Sequence, residues 1–300
     1  ADSGLRSFAS VQGALVMYPI HAYGSDGLKQ KYLPKLASGE MIGCFGLTES
    51  EGGSDPGAMQ MRAQKDGDGY VLDGTKTWIT NGNIAHVAII WGRDDEGVVR
   101  GFVVPTDSPG FTANTIERRM SLRISVTSEI VLENVRVPDS QVLSGATGLS
   151  APLSCLDQGR YGIVWGVMGA LEAVYSEALA FAETRVTFGK PIAHHQGIQF
   201  TLADMATAVH SARTVTMQAA TLKDEGKPFI NEASIAKLMA SEMCVNVTSQ
   251  SLQIHGGSGY FKETGIERLF RDARVTTIYE GTSEVQRLLI ARQLLAQYPI

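Results

Sequence analysis

The spacing of apolar residues changes twice along this chain. Over residues 1 to about 43 they recur at helical intervals. "LRSFASVQGALVM" predicts one helix, and "DGLKQKYLPKLASGE" a second, short one with Pro34 inside it. From about 44 to 147 the runs become β-branched and aromatic: "GYVLDGTKTWIT", "HVAIIWG", "RGFVVPT" and "EIVLENVRVP" read as strands. "KDGDG" and "RDDEG" between them read as hairpin turns. From about 148 onward the helical period returns in "YGIVWGVMGALEAVYSEALAFAETR", "IQFTLADMATAVHSARTVTMQAATLKDEG" and "NEASIAKLMASEMCVNVTSQSLQIHGG". These stretches are long enough to cross a bundle and end in or near glycine, a common helix stop. The expected layout is α+β and multidomain: a helical fragment (1–43), a β domain (44–147) and a C-terminal bundle of about four helices (148–300).

One β-branched run, Val275 to Tyr279, reads as an extended segment that stops at Glu280-Gly281-Thr282 before a strongly helical stretch. Asp, Asn or Ser would serve a surface turn better, because they bond their own backbone. Glu280 is therefore either a solvated turn residue or a carboxylate aimed at something.

Composition narrows the classes. A chain of 300 residues suits two domains, or one long one, and 44% apolar with 19% charged residues is ordinary for a globular protein. The net charge of -5 argues against nucleic-acid binding. No apolar run of the length of a membrane span stands out, and no secretory signal opens the chain. Cys44, Cys155 and Cys244 are odd in number and far apart, which suggests reduced thiols in an intracellular compartment and no zinc cluster.

Several common chemistries are missing. There is no G-x-G-x-x-G and no H-E-x-x-H, and "GYVLDGTK" has Thr-Lys where a P-loop needs Lys-Thr, so it reads as a hairpin. His194 and His195 are adjacent, so on a helix they point about 100° apart and make poor joint metal ligands. Three stretches remain unusual. "CFGLTESEGGSDPG" leaves a strand for a Gly-rich turn, where Thr48, Gly52, Gly53 and Ser54 can bring N–H groups and hydroxyls to phosphates or a ring edge; a structural loop is the alternative. "KTWITNG" places Trp78 and Thr80 on one face of a strand, either lining a flat aromatic ligand or as core. "LQIHGGSGY" ends a helix in two glycines, either for close backbone approach or as an ordinary cap.

Together, "FGLTESEGGSD", "GTKTWITNG", "RVTFGKPIAHHQ", "QIHGGSGY" and "IYEGTSEVQRLLIAR" resemble, in order, the motifs of the acyl-CoA dehydrogenase flavoproteins. The resemblance covers essentially the whole chain. It implies an N-terminal helical domain (incomplete here, the chain beginning inside it), a middle β domain and a C-terminal four-helix domain, assembled as a homotetramer. It implies FAD as cofactor, an acyl-CoA substrate and electron-transfer flavoprotein as partner, with no metal. The location implied is the cytoplasm in a bacterium or the mitochondrial matrix in a eukaryote.

The resemblance makes Glu280 the base that removes the α-proton of the thioester, with its own backbone N–H as a donor to the enolate-like oxygen. Ser283 with Gln286 resembles a capping box, which would put Glu280 just before a helix N-terminus whose dipole favours the ionised base. By the same resemblance Phe45, Leu47, Thr48, Gly53, Ser54, Trp78, Ile79 and Thr80 belong to the flavin site, and Ser54 also meets the CoA chain. Arg185, Phe188, Gln196, Gln253, Gly256 and Gly257 would serve the adenine-diphosphate half of FAD, the first two in a neighbouring subunit, and Thr282 and Glu284 would touch FAD after the base. Asp157 and Arg160 match the pantetheine segment, and Tyr279 and Gly281 join the substrate set.

"SGLRSFASVQGALVMYPIHAYGS" resembles the glutaryl-CoA dehydrogenase branch, where the matching Arg6 binds the distal carboxylate and Ser7 and Ser10 line the pocket. An arginine fork suits that task. The branch implies oxidation of glutaryl-CoA and decarboxylation to crotonyl-CoA. Leu5 departs from the Tyr usual there, and Ser283-Glu284, where the branch has His-Asp, resembles short- and branched-chain members, as do the helices from about 185 onward. A third reading is a non-catalytic acyl-CoA-binding relative.

Overall fold

The computed structural model describes residues 2–297 and divides into two compact units, 2–159 and 160–297. The N-terminal helices fall in one unit with the sheet because they share a core with it.

The first unit opens with α1 (Ser3–Ser10), capped by the Asp2 carboxylate, which accepts from the N–H groups of Gly4 (2.7 Å) and Leu5 (3.2 Å). The chain continues as a π-helical stretch (Val11–Met17) into α2 (Tyr18–Tyr23), then α3 (Asp26–Ser38), which holds Pro34 inside it. Seven strands follow: β1 (Gly43–Gly46), β2 (Arg62–Asp66), β3 (Gly69–Thr80), β4 (Val87–Arg93), β5 (Val99–Pro105), β6 (Phe111–Thr115) and β7 (Thr127–Pro138). They pair in the order β1-β4-β2-β3-β7-β6, with β5 on β4, in a mixed sheet where β1 runs parallel to β4. Both turns read from the sequence close hairpins, Asp66 opposite Gly69 and Arg93 opposite Val99.

The period of 2 explains the core. On β4, Val87, Ile89 and Trp91 join Val16, Ile20, Leu28 and Tyr32 of the helices, while Ala88 and Ile90 join Met61, Leu72, Phe102 and Ile130 on the other face. A strand buried on both faces reads as a continuous apolar run, as "HVAIIWG" does.

The second unit is helical. α4 (Ser150–Thr184) starts in the first unit and is followed by a two-stranded hairpin of β8 (Val186–Thr187) and β9 (Lys190–Pro191). Next come α5 (Gln196–Asp224), α6 (Ile230–His255), α7 (Gly257–Tyr260), α8 (Ile266–Val275) and α9 (Ser283–Gln297). α4 is long and apolar enough by composition to cross a membrane, contrary to the sequence expectation. Its Ile163, Val164, Val167, Met168, Leu171 and Val174 instead fill the core of this unit with Met205, Ala212, Ala240 and Cys244. All three cysteines are free and buried, and burial pushes their thiols up to about 12.

Candidate active site

The segment Val275–Tyr279 is not extended. Val275 ends α8, and the chain then turns, with Thr276 Oγ1 donating to the Ala273 carbonyl (2.6 Å) and Thr277 Oγ1 to that of Arg274 (3.1 Å). The β-branched threonines that favour a strand here turn their hydroxyls onto helix-end carbonyls instead. Glu280 therefore sits on a tight turn between two helices, at φ 51, followed by Gly281 at φ 87. Two left-handed residues in succession reverse the chain, and the second must be glycine: a Cβ there would lie 2.6 Å from Gln286 Nε2.

The cap of α9 differs from the expected box. Thr282 is the capping residue, its Oγ1 accepting from the Val285 N–H (3.3 Å). Ser283 is the first helical residue and is buried, its hydroxyl without a partner among the described residues. Gln286 is fully buried and does not cap; its amide donates to the carbonyls of Gly281 (3.0 Å) and Glu280 (3.3 Å). The reading was off by one residue because Thr and Ser cap almost equally well.

A lysine completes the turn. Lys237 of α6 is 1% exposed, and its Nζ donates to the Gly281 carbonyl at 2.8 Å. Burial lowers its pKa to about 8, the charge of Glu280 opposing that shift and that of Arg160 adding to it. Arg160 is itself 5% exposed, and Glu280 is half-buried with Oε2 shielded from solvent. Tyr279 is half-buried beside Glu280, and Glu284 is exposed at the start of α9, its carboxyl held below the usual range by its own N–H and by Thr282. Sequence reasoning missed Lys237. The signal was its place in the apolar stripe Ala233, Ala236, Ala240 and Cys244, where a surface lysine would not sit.

Elsewhere in this unit, α6 ends at His255 with Gly256 as its cap at φ 57, the second of the two readings the glycine pair allowed. Phe181 stacks on His255 at 4.3 Å, and the Phe181 carbonyl accepts from the Arg185 N–H (2.9 Å), so the ends of α4 and α6 come together. Arg185, Gln253, Gly256 and Gly257 are all exposed there. Phe188 and Gly189 form the tip of the β8–β9 hairpin, both left-handed, and Phe188 is 97% exposed. Its ring meets His195, the residue before Gln196 at the head of α5. His194 and His195 lie outside any α-helix. These residues are not brought to the base turn: from Lys237 to Gln253 runs about 24 Å of helix. An open cleft of about 320 Å³ between α4 and α5, lined by Glu172, Tyr175, His210 and Arg213, is separate again.

In the first unit the loop after β1 is tied down by charge. Glu49 (7% exposed) accepts from Lys76 Nζ at 2.7 Å and from the N–H groups of Gln60 (2.5 Å) and Met61 (3.0 Å). Lys76, fully buried, also donates to the Leu47 carbonyl (3.1 Å), and the Thr77 N–H donates to that of Thr48 (2.9 Å). Hydrogen bonds from Lys76 and from the two N–H groups hold the Glu49 carboxyl below its ordinary value despite burial. This pair, too, went unread: Lys76 occupies a strand position whose alternation is broken by a bulge between Lys76 and Ile79.

That bulge presents Trp78 at φ 59, 64% exposed, so the indole is not core. Thr48 and Thr80 are half-buried, and neither hydroxyl has a hydrogen-bond partner among the described residues. Phe45, Leu47 and Ile79 bury their side chains, leaving only backbone to meet a ligand, while Gly53 and Ser54 are exposed. The open indole and the Thr80 hydroxyl on β3, with the Thr48 hydroxyl on the braced loop, fit a flat polar-edged ring such as a flavin. On α1, Arg6 is half-buried with Nη1 shielded, Ser7 is 7% exposed, and the buried Ser10 hydroxyl has no partner among the described residues. Ser7 and Ser10, and Arg6 and Ser10, are three and four residues apart on one helical face. Asp157 lies on the first part of α4 and is half-buried.

Comparison with known proteins fits this arrangement. The chain matches the acyl-CoA dehydrogenase N-terminal domain over 1–40, the middle domain over 44–135 and the C-terminal domain over 146–295. It is 44% identical over 294 residues to the short-chain specific mitochondrial acyl-CoA dehydrogenase of Bos taurus, covering 96% of this chain and 71% of the relative. It superimposes on glutaryl-CoA dehydrogenase of Mycobacterium smegmatis with a TM-score of 0.96 and 48% identity, covering 98% of this chain and 76% of that one. A glutaryl-CoA dehydrogenase of Mycobacterium smegmatis in complex with FADH2 superimposes equally well, with a TM-score of 0.96 at 45% identity, covering 98% of this chain and 76% of that one. Butyryl-CoA dehydrogenase of Megasphaera elsdenii superimposes with a TM-score of 0.95 at 38% identity, covering 98% of this chain and 78% of that one. With all three domain matches in order, and a left-handed Glu-Gly turn ahead of a helix to serve them, the chain belongs to the acyl-CoA dehydrogenase family of FAD-dependent oxidoreductases.

Proposed function

We propose that Glu280 is the base that removes the α-proton of an acyl-CoA thioester, and that glutaryl-CoA is the substrate. The observation that carries the first part is the turn itself. A half-buried carboxylate stands two residues before the cap of α9, its backbone held by donors to the carbonyls of both Glu280 and Gly281. The helix dipole favours the ionised carboxylate, and desolvation under substrate raises its basicity. FAD, when bound, supplies the acceptor for the β-hydrogen. In this reading Trp78, Thr48 and Thr80 hold the flavin ring and Ser54 a phosphate. Arg185, Phe188 and Gln253 serve an adenine-diphosphate half of FAD in a homotetramer, and electrons leave to electron-transfer flavoprotein.

The glutaryl assignment rests on Arg6, a shielded cation with Ser7 and Ser10 on the same face, suited to a distal carboxylate. The alternative, a short-chain substrate, is favoured by Ser283-Glu284 after the base and by the likeness to short-chain relatives.

The test is an acyl-CoA panel with an artificial electron acceptor, run on the wild type and on Glu280→Gln. The variant retains FAD and loses flavin reduction by roughly 10² or more, the scale of a positioned general base. Near-normal reduction by Glu280→Gln would show that the base lies elsewhere. A wild type that prefers butyryl-CoA over glutaryl-CoA replaces the glutaryl assignment by the short-chain one.

A further inference from the structure

We propose that Lys237 is a positioning residue for the base: its ammonium holds the Gly281 carbonyl and, buried beside Glu280, keeps that carboxylate ionised and its turn in place. The inference rests on the reading of Glu280 as the base.

The argument begins with what a purely structural role would need. The Gly281 carbonyl already accepts from the Gln286 amide at 3.0 Å. A carbonyl needs a donor, not a charge, and a buried cation is costly unless a charge answers it. Lys237 nevertheless sits 1% exposed with its Nζ 2.8 Å from that oxygen.

The charges acting on it are Glu280 from the turn, Arg160 from α4, Glu242 on α6 itself and Glu284 on α9. Glu242 and Glu284 are exposed and screened by water, while Arg160 is a second buried cation. The buried residues of α5, which packs on α6, are uncharged, and α8 contributes the buried Asp272. Of the charges acting on Lys237, Glu280 is the carboxylate least exposed to water, and the largest of their effects is its own. The attraction works both ways: what stabilises the ammonium stabilises the carboxylate. Burial already lowers the lysine to about 8, so its charge is present at neutral pH and is lost as pH rises through that value.

The test uses the FAD-loaded enzyme and reads the pH profile of flavin reduction by acyl-CoA in Lys237→Met, Lys237→Gln and Lys237→Arg. Glu280→Gln runs in parallel. Glutamine keeps a donor without the charge, and arginine keeps the charge. Loss of the charge moves the acid limb of the profile upward by about one pH unit in both neutral variants, the low end of what a neighbouring opposite charge produces. Arginine returns the limb toward its wild-type place. A structural role predicts the reverse: Lys237→Gln behaves as wild type, and any loss in Lys237→Met is equal at every pH. An unmoved limb in Lys237→Gln overturns the inference, and this variant decides the matter even if Lys237→Met does not fold. If Glu280→Gln is inert while that limb stays put, the inference alone fails. If Glu280→Gln still reduces its flavin normally, the base assignment fails and takes the inference with it.

Discussion

Replacing Lys76 by methionine tests whether the loop that carries Thr48 is held by charge. Lys76 is fully buried and its pair with Glu49 is closed at 2.7 Å, so the variant leaves a buried carboxylate without its counter-ion. Breaking a buried pair from one side costs about 3–5 kcal/mol. Glu49 keeps the N–H groups of Gln60 and Met61, which places the cost near the lower end, about 3 kcal/mol. At about 2–4 °C per kcal/mol for a unit of this size, the melting temperature falls by about 6–12 °C. The Leu47 carbonyl loses its donor as well, so FAD retention weakens with stability. Urea or thermal unfolding followed by fluorescence of Trp91, buried in the same unit, measures the change. The double variant Lys76→Met/Glu49→Gln removes the stranded charge and recovers part of the loss, so the two single effects do not add. The acid limb of stability carries a second signature. The folded pKa of Glu49 is depressed below 4.5, so its stabilising contribution is present above that value and is lost as pH falls through the folded pKa. Glu49→Gln flattens that limb. A shift below about 2 °C for Lys76→Met, or a double variant as unstable as the sum of the singles, would refute the reasoning.

Two further outcomes are expected. Arg6→Met cuts kcat/KM for glutaryl-CoA by roughly 30-fold to several thousand-fold, the equivalent of about 2–5 kcal/mol for a shielded guanidinium–carboxylate pair, and spares butyryl-CoA; an equal loss for both substrates would make Arg6 structural. Phe188→Asn, at a left-handed position with a 97% exposed ring, leaves the folded subunit at least as stable, because Asn tolerates that conformation. The same variant releases FAD more readily and yields smaller species by light scattering; unchanged assembly and cofactor content would count against a role for this ring in a neighbouring subunit.

Much of the fold was legible because each element's period matched its burial. β4 reads as an unbroken apolar run and is buried on both faces; α6 reads as a stripe and is buried along it. The failures are local conflicts. Val275–Tyr279 has strand propensity, but packing of α8 and its threonine hydroxyls bend it into a helix end and turn. Trp78 breaks strand alternation by taking a positive φ, which no period reveals. The motif singled out Glu280 in the sequence, whereas the buried lysines went unread: lysine in sequence suggests solvent, Lys237 betrays itself only by its place in an apolar stripe, and the fold brings Lys76 inside.

The donors to the base turn come from two different helices: Lys237 lies on α6 and Gln286 on α9, and both reach the same Gly281 carbonyl. The turn therefore acts as a gauge of the distance between those helices. A slip of a fraction of an ångström between α6 and α9 leaves helical content untouched but lengthens one of the two hydrogen bonds and misaims Glu280. Turnover should fade under mild denaturant before circular dichroism registers any change, which makes activity the finer measure of whether this bundle is correctly packed.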